Sequence, residues 1–366
     1  MGVRARVATW SAGLLVVLCL TMVASATVGP VNLGFVTVAK ASLNAIGLPA
    51  GLDLTVARAG AAGVGFPVPV PDIHYAYVFD FPVEETAERI VRRLRLPRIA
   101  LAAVVGFSLS AAGTVMQGFF RNPMADPSII GVSSGAAVGA VAVIALPLTV
   151  PFGLQSAAFV CALLTAFAVY VIASEGGRTP VATLLLAGIA VQALLSAAIS
   201  YMLLQAGESL EEAIYWLMGN LHNSNWGEVE VTLPLAVLSF AVLLVYARDL
   251  NVLLLGEEDA GTLGIEVERT RRILLAVSTT ITAAAVAVAG VIGFVGLVVP
   301  HMMRLVVGPD HRILLPTSAL AGASFLVVTD TFARSAAAEL PVGIVTAALG
   351  APFFLYLLRR REVHAL

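Results

Sequence analysis

The sequence contains little charge, one lysine and two cysteines, and each scarcity excludes a class of protein. Charged residues make up 12% of the 366 positions and hydrophobic residues 59%, a composition that excludes a soluble globular domain. The single lysine, Lys40, lies in no Gly-x-x-x-x-Gly-Lys-Ser/Thr motif, so the chain is not a P-loop ATPase. Cys19 and Cys161 both lie in apolar runs and provide no disulfide framework.

Catalytic and metal-binding patterns are also missing from the sequence. The five histidines lack the spacing of metal ligands, and no nucleophile is accompanied by a base and an orienting group. These absences predict a protein that is not an enzyme and that carries no cofactor.

Long apolar runs are what the sequence does contain. A bilayer core of about 30 Å needs roughly 20 apolar residues per crossing helix, and ten runs approach that length. They predict an all-α polytopic membrane protein that forms one domain over residues 1–366. The predicted spans are residues 10–30, 98–119, 131–148, 152–173, 182–204, 231–247, 273–291, 292–307, 314–334 and 341–358. A tight turn at Gly290, Gly293 and Gly296 is expected to separate the seventh span from the eighth.

The arginines orient these spans. Most of the 21 basic residues fall in cytoplasmic segments when both termini are placed in the cytoplasm, as the excess of positive charge on that side requires. Arg4 and Arg6, followed by Ala24-Ser25-Ala26, would also suit a cleaved signal peptide. The apolar core of this first run is longer than a signal peptide usually has, which favours a retained helix.

The segment between the first two spans, residues 31–97, is predicted to lie outside the membrane. Its Gly/Ala/Pro-rich part, residues 57–71, is typical of an irregular surface loop. Residues 84–96 instead have the spacing of a short amphipathic helix, which would place Arg89, Arg92 and Arg93 on one face.

Eight motifs between residue 95 and the C-terminus resemble the permeases of iron-siderophore, haem and cobalamin importers, the FecCD family. The only departure that stands out is a longer first external loop. The motifs are RLPR at 95–98, Gln117 with RNPMADPSIIGVSSGA at 121–136, LLLAG at 184–188, YWLMG at 215–219, LGEEDAGTLGI at 255–265, GFVGLVVPHMMR at 293–304, DHRILLP at 310–316 and ELPVGIVTAALGAP at 339–352.

This resemblance implies a type II ABC importer permease in the cell membrane that moves an iron chelate, haem or cobalamin-type substrate into the cytoplasm. It implies a homodimer with the pathway at the dimer axis. It also implies two copies of a separate ATPase subunit, which would hydrolyse the ATP, and an extracytoplasmic substrate-binding protein. No nucleic acid is involved, and membrane lipid surrounds the chain.

The resemblance also assigns roles to residues of this sequence. Arg95, Arg98 and Arg334 would receive carboxylates of the binding protein. The charges alone favour a different role for the arginines near residue 95, which would bind lipid headgroups or pair with Glu84, Glu85 and Glu88. Within the cytoplasmic segment 248–272, the ATPase would contact the residues Gly256, Glu257, Ala260, Leu263 and Gly264.

The fifth span carries the residues implied for the translocation pathway. Val181, Ala182 and Thr183 would lie near the cytoplasmic gate. Gln192, Ser196 and Ser200 recur every four residues and so share a helix face. These three could line the pathway, or they could form hydrogen bonds with neighbouring helices.

Asp330 supplies the main alternative, because ionisable groups inside a membrane are functional candidates. A proton- or ion-coupled secondary transporter could use this carboxylate as its coupling site. Thr329, Thr331 and Arg334 are possible local partners, which favours a structural role.

Overall fold

The computed structural model describes residues 2–29, 31, 33–59, 66–146, 150, 153–176, 179–336 and 339–360. Its helices are α1 Val3–Thr27, α2 Phe35–Asn44, α3 Glu85–Arg89, α4 Leu96–Phe119, α5 Val132–Ala145, α6 Gly153–Ala173, α7 Val181–Gln205, α8 Leu210–Leu217, α9 Trp226–Val245, α10 Ala247–Leu253, α11 Glu257–Thr262, α12 Val267–Ala289, α13 Val295–Val307, α14 His311–Ala333 and α15 Val342–Arg360. A π-helical turn at Ile90–Arg95 and 3₁₀ turns at Pro127–Ile130 and Gly207–Ser209 join some of them, and strands β1 Gly47–Ala59 and β2 Phe66–Tyr77 follow α2.

Each of the ten predicted spans coincides with a helix, so the polytopic helical fold is confirmed. Among the described residues, seven helices are long and apolar enough to cross a membrane, and three shorter apolar helices, α5, α13 and part of α15, complete the set. A helix of 14 residues such as α5 covers only about 21 Å. Irregular backbone beside it must therefore be buried within the protein rather than exposed to lipid.

Backbone carbonyls at and beside these short helices accept hydrogen bonds from side chains on other helices of the bundle. The Gln192 amide donates to the carbonyls of Ser128 and Ile129 at 3.1 and 2.7 Å. The amide of Gln117 donates to the Leu297 carbonyl at 2.9 Å. The predicted break at Gly290 is confirmed, but this residue is buried against the Trp216 carbonyl rather than exposed in a turn.

Helix α4 occupies the centre of the bundle and is buried over most of its length. It packs on α14, α12, α13 and α9. Two of these contacts bring backbones together, because a Cβ added at Gly113 would overlap the Gly296 carbonyl and one at Gly106 would overlap that of Gly322. Small residues allow this close approach between membrane helices.

The segment between the first two spans contains a β-hairpin, so the prediction of an irregular loop over residues 57–71 is wrong for the described part of that stretch; residues 60–65 lie outside the described part. Strands β1 and β2 pair antiparallel, with Leu54 opposite Pro71, Val56 opposite Pro69 and Arg58 opposite Pro67. In a two-stranded ribbon only every second N–H faces the partner strand, so prolines at alternate positions cost no ladder bond. Proline alternation, which looked like a loop signal, is compatible with an edge strand.

The predicted amphipathic helix over 84–96 is confirmed, and it continues without interruption into α4. Together α3, the π-helical turn and α4 form one helix from Glu85 to Phe119. The ion pairs Arg89–Glu85 and Arg92–Glu88, one turn apart, stabilise its outer end.

Candidate functional site

The three predicted docking arginines lie together where α4 begins and α14 ends, but they are buried. Arg95, Arg98 and Arg334 are 4, 8 and 7% exposed. Arg95 donates to the carbonyls of Ala26, at 2.7 Å, and Val31. Its guanidinium therefore fixes the end of α1 and the chain that follows it against α4.

Asp330 links the other two arginines. Its carboxylate accepts from Arg98 Nη2 at 2.8 Å and from Nε at 3.0 Å, and Arg334 Nε lies 3.5 Å from it. Arg334 also donates to the Ser25 carbonyl at 2.7 Å. A buried carboxylate held by two arginines has a structural role, and this geometry gives no support to Asp330 as a coupling site for protons or ions.

Glu339 extends the same ionic network to the surface. It binds Arg98 on one side and His222 Nδ1, at 2.9 Å, on the other. Partial burial alone would raise the pKa of Glu339, but the hydrogen bond and charge of Arg98, followed by those of His222, lower it. The connectors before α9 and α15 are thereby tied to the outer end of α4.

This network changes what docking on the three arginines would require. Each guanidinium already has acceptors within the chain, so a partner carboxylate would have to replace them, most accessibly Glu339. The alternative prediction, that arginines in this region pair with nearby glutamates, holds for two arginines that precede Arg95: Arg89 binds Glu85 and Arg92 binds Glu88. Docking by Arg95, Arg98 and Arg334 stays a prediction.

The pathway residues on α7 fall into two groups. Ala182, Thr183, Ser196 and Ser200 are exposed on a helix whose apolar surface is mostly uncovered by the rest of the chain. Val181 and Gln192 are half-buried. The Gln192 side chain points into the protein, where it holds the backbone of the 3₁₀ turn before α5, as the interhelical alternative anticipated. The remaining five stay candidates for the pathway.

The predicted coupling segment folds into two short helices, α10 and α11. Gly256 and Gly264, which flank α11, have φ angles of +136° and +85°, a region that favours glycine. A Cβ at Gly264 would meet no atom within 4 Å, so the requirement for glycine there is conformational. Leu255 and Leu263 beside them are 63 and 62% exposed, so the rest of the chain leaves their apolar surface uncovered.

Two predicted contact residues in this segment serve the chain itself. Ala260 is fully buried, and Glu257 binds Arg271 of α12 at 2.7 Å. Both therefore hold α11 against the bundle. Glu257, Glu258, Asp259, Glu266 and Glu268 line a cleft of about 930 Å³ together with Arg269 and Arg272, which makes this face acid-rich.

A polar cluster not singled out from the sequence joins the coupling segment to α14. The Asp310 carboxylate caps α14 through the Arg312 N–H at 3.0 Å and accepts from Asn251 of α10 at 2.7 Å. The hydrogen bonds and charge of Arg312, with Asn251, lower the pKa of Asp310 to about 2. Its stabilising effect is therefore complete above the usual aspartate pKa of about 4 and is lost as the pH falls towards 2. The sequence could not reveal this polar cluster, because it depends on the contact between α10 and α14.

Comparisons with known proteins agree with this architecture. A model of the FecCD transport family matches residues 63–360. The cobalamin import system permease protein BtuC of Halobacterium salinarum is 58% identical over 364 residues, 99% of each chain. The hemin transport system permease protein HmuU of Yersinia pestis is 40% identical, with 84% of this chain and 94% of that protein covered. A solved inward-facing metal-chelate type ABC transporter superposes with a TM-score of 0.74 at 29% identity, covering 96% of this chain and 98% of that one.

Proposed function

The chain belongs to the FecCD transport family, and we propose that it is the permease subunit of an ABC importer whose cargo is a cobalamin-type compound. The assignment of the cargo rests on how much of the chain each relative matches. The relative named for cobalamin import matches 99% of this chain, including the part before residue 63 that the family model leaves out. The relative named for hemin transport covers 84%.

A homodimer in the cell membrane, with both termini in the cytoplasm, accounts for the distribution of exposed surface. Helix α7 is apolar and mostly exposed, and its Ala182, Thr183, Ser196 and Ser200 are the small or polar residues expected beside a pathway. A second copy facing this helix would enclose the pathway at the dimer axis, with Val181 at the gate. Two copies of a separate ATPase and one binding protein complete the transporter.

The α10–α11 segment is the part of the chain best suited to receive the ATPase. Gly256 and Gly264 set its shape, Leu255 and Leu263 give it apolar contact surface, and Glu258 gives it exposed charge. The Asn251 amide donates to Asp310, and its oxygen accepts from the His311 N–H, so a movement of α10 would reach α14 directly. When the ATPases close, the movement of α10 would in this way be transmitted to the helices around the pathway.

Docking of the binding protein is proposed at the outer ends of α4 and α14. Arg95, Arg98 and Arg334 supply three positive charges, whereas Asp330 and Glu339 supply two negative charges, so a partner carboxylate would balance the cluster. Because Glu339 is the more exposed of the two carboxylates, we expect it to be the one that a partner replaces at Arg98.

The cargo is tested by reconstituting the permease in liposomes with the ATPase and binding protein of its own transporter. ATP-dependent accumulation of labelled cyanocobalamin is expected, in excess over hemin and ferric citrate. Preferential uptake of hemin or ferric citrate would overturn the assignment of cobalamin as the cargo. The permease alone is expected neither to hydrolyse ATP nor to accumulate cargo. Uptake by the permease alone under a proton gradient, abolished in Asp330→Asn, would favour the secondary transporter.

A further inference from the structure

A groove of about 280 Å³ lies between α6 and α12, two helices that are long and apolar enough to cross a membrane. Leu163, Phe167, Leu275 and Ala276 line it. The Phe167 side chain is 65% exposed, so the groove is open along its side rather than enclosed. An apolar groove on a membrane-facing surface is filled by hydrocarbon.

The two ends of the groove differ in chemistry. Tyr170 lies in the last turn of α6 and Arg272 lies near the start of α12, so both mark the same end. Thr279 and Thr280 line the other end, about 11 Å deeper at 1.5 Å per helical residue. That depth approaches half of a hydrocarbon core of about 30 Å. The groove therefore runs from the interface of one leaflet towards the midplane, with tyrosine at the level where it is enriched.

Unlike the neighbouring arginines, Arg272 has no carboxylate partner in the described part of the chain. Arg271 binds Glu257 at 2.7 Å and Arg269 lies 3.5 Å from Glu266. Among the residues that the structure describes, Arg272 makes one hydrogen bond, from Nε to the Glu268 carbonyl at 3.2 Å. Its two terminal nitrogens remain available, and such a fork matches the oxygens of a phosphate group.

We propose that this groove binds one phospholipid, with its phosphodiester on Arg272 and an acyl chain between α6 and α12. The apolar walls would contact the acyl chain and the arginine would bind the phosphate. The length of the groove fits a single leaflet. Arg272 also borders the acid-rich cleft of the coupling segment, so the bound headgroup would lie directly beside α11. The proposal is independent of the cargo and of the ATPase.

Native mass spectrometry of the delipidated permease tests this site directly. We expect phosphatidylglycerol and phosphatidylcholine to add one tightly held copy per chain, whereas a diacylglycerol with the same acyl chains, which lacks the phosphate, does not. Arg272→Gln should weaken phospholipid binding roughly fivefold, the effect of one arginine at a lipid surface. Ala276→Phe should also weaken it, because the new ring fills the groove.

Arg269→Gln is the matched control, since it removes a cation one turn away that is already paired, and it should leave binding unchanged. Equal binding of diacylglycerol and phospholipid would overturn the role of the phosphate. Equal losses of phospholipid binding in Arg272→Gln and Arg269→Gln would show that general surface charge, rather than Arg272 itself, holds the phosphate. Unaltered binding in Ala276→Phe would overturn the groove as the site of the acyl chain.

Discussion

At the scale of single residues, Asp330 shows how one carboxylate can organise three elements. It holds Arg98 of α4 and Arg334 at the end of α14, and Arg334 in turn binds Ser25 of α1. Ser25 also exchanges a hydrogen bond with Thr331 at 2.7 Å. The end of α1, the start of α4 and the end of α14 are therefore joined by charge-assisted bonds within a region where unpaired charge is costly.

Asp330→Asn should destabilise the permease by about 3 to 5 kcal/mol, because it leaves a buried arginine without its counter-charge. The measurement is the thermal unfolding of purified protein in detergent. Glu85→Gln is the control, since it makes the same change in the exposed pair with Arg89, where about 0 to 1 kcal/mol is expected. Equal stability of the two variants would show that Asp330 does not hold the bundle together.

At the scale of elements, the long apolar runs and the amphipathic helix over 84–96 were predictable, and most of the other short connecting elements were not. Ten spans follow from hydropathy alone, because hydrocarbon demands continuous apolar helix. Helices α8 and α10 are too short for a periodic signal, and hairpin β1–β2 was hidden by its prolines. The burial of Arg95, Arg98 and Ala260 depends on helices distant in sequence, so no local pattern could reveal it. Glycines 256 and 264 were identified, but only the backbone angles explain them.

The coupling segment offers a matched pair of glycines for testing that explanation. Gly264→Ala should reduce co-purification with the ATPase about fivefold, because a Cβ at a φ of +85° costs roughly 1 kcal/mol and reshapes the segment. Gly261, inside α11, also has open space around it but no positive φ. Gly261→Ala should therefore retain binding. Equal losses in both variants would point to a crowded interface, and no loss in either would place the ATPase contact elsewhere.

At the scale of the whole molecule, the chain leaves much apolar surface uncovered, and the proposed dimer distinguishes between two such surfaces. Helix α7 should face the second copy, whereas α1 should face lipid. In a chain with Cys19 and Cys161 replaced, cysteines along the exposed face of α7, at Leu194 or Ala197, should cross-link two permeases on oxidation. A cysteine at Leu20, which is 63% exposed on α1, should not. Cross-linking from Leu20 alone would relocate the dimer axis.

The continuous helix from Glu85 to Phe119 has a mechanical consequence. Its 35 residues extend about 52 Å, so its N-terminal end stands well clear of a hydrocarbon core of about 30 Å. The part from Leu96 onwards is buried over most of its length, whereas only Ala87, Val91 and Arg95 are buried in the part before it. A force on that projecting end would act on a long, stiff helix, and just beyond its other end Arg121 donates to the Leu253 carbonyl of α10 at 2.6 Å. We therefore expect a load at the start of this helix to displace α10 at its end.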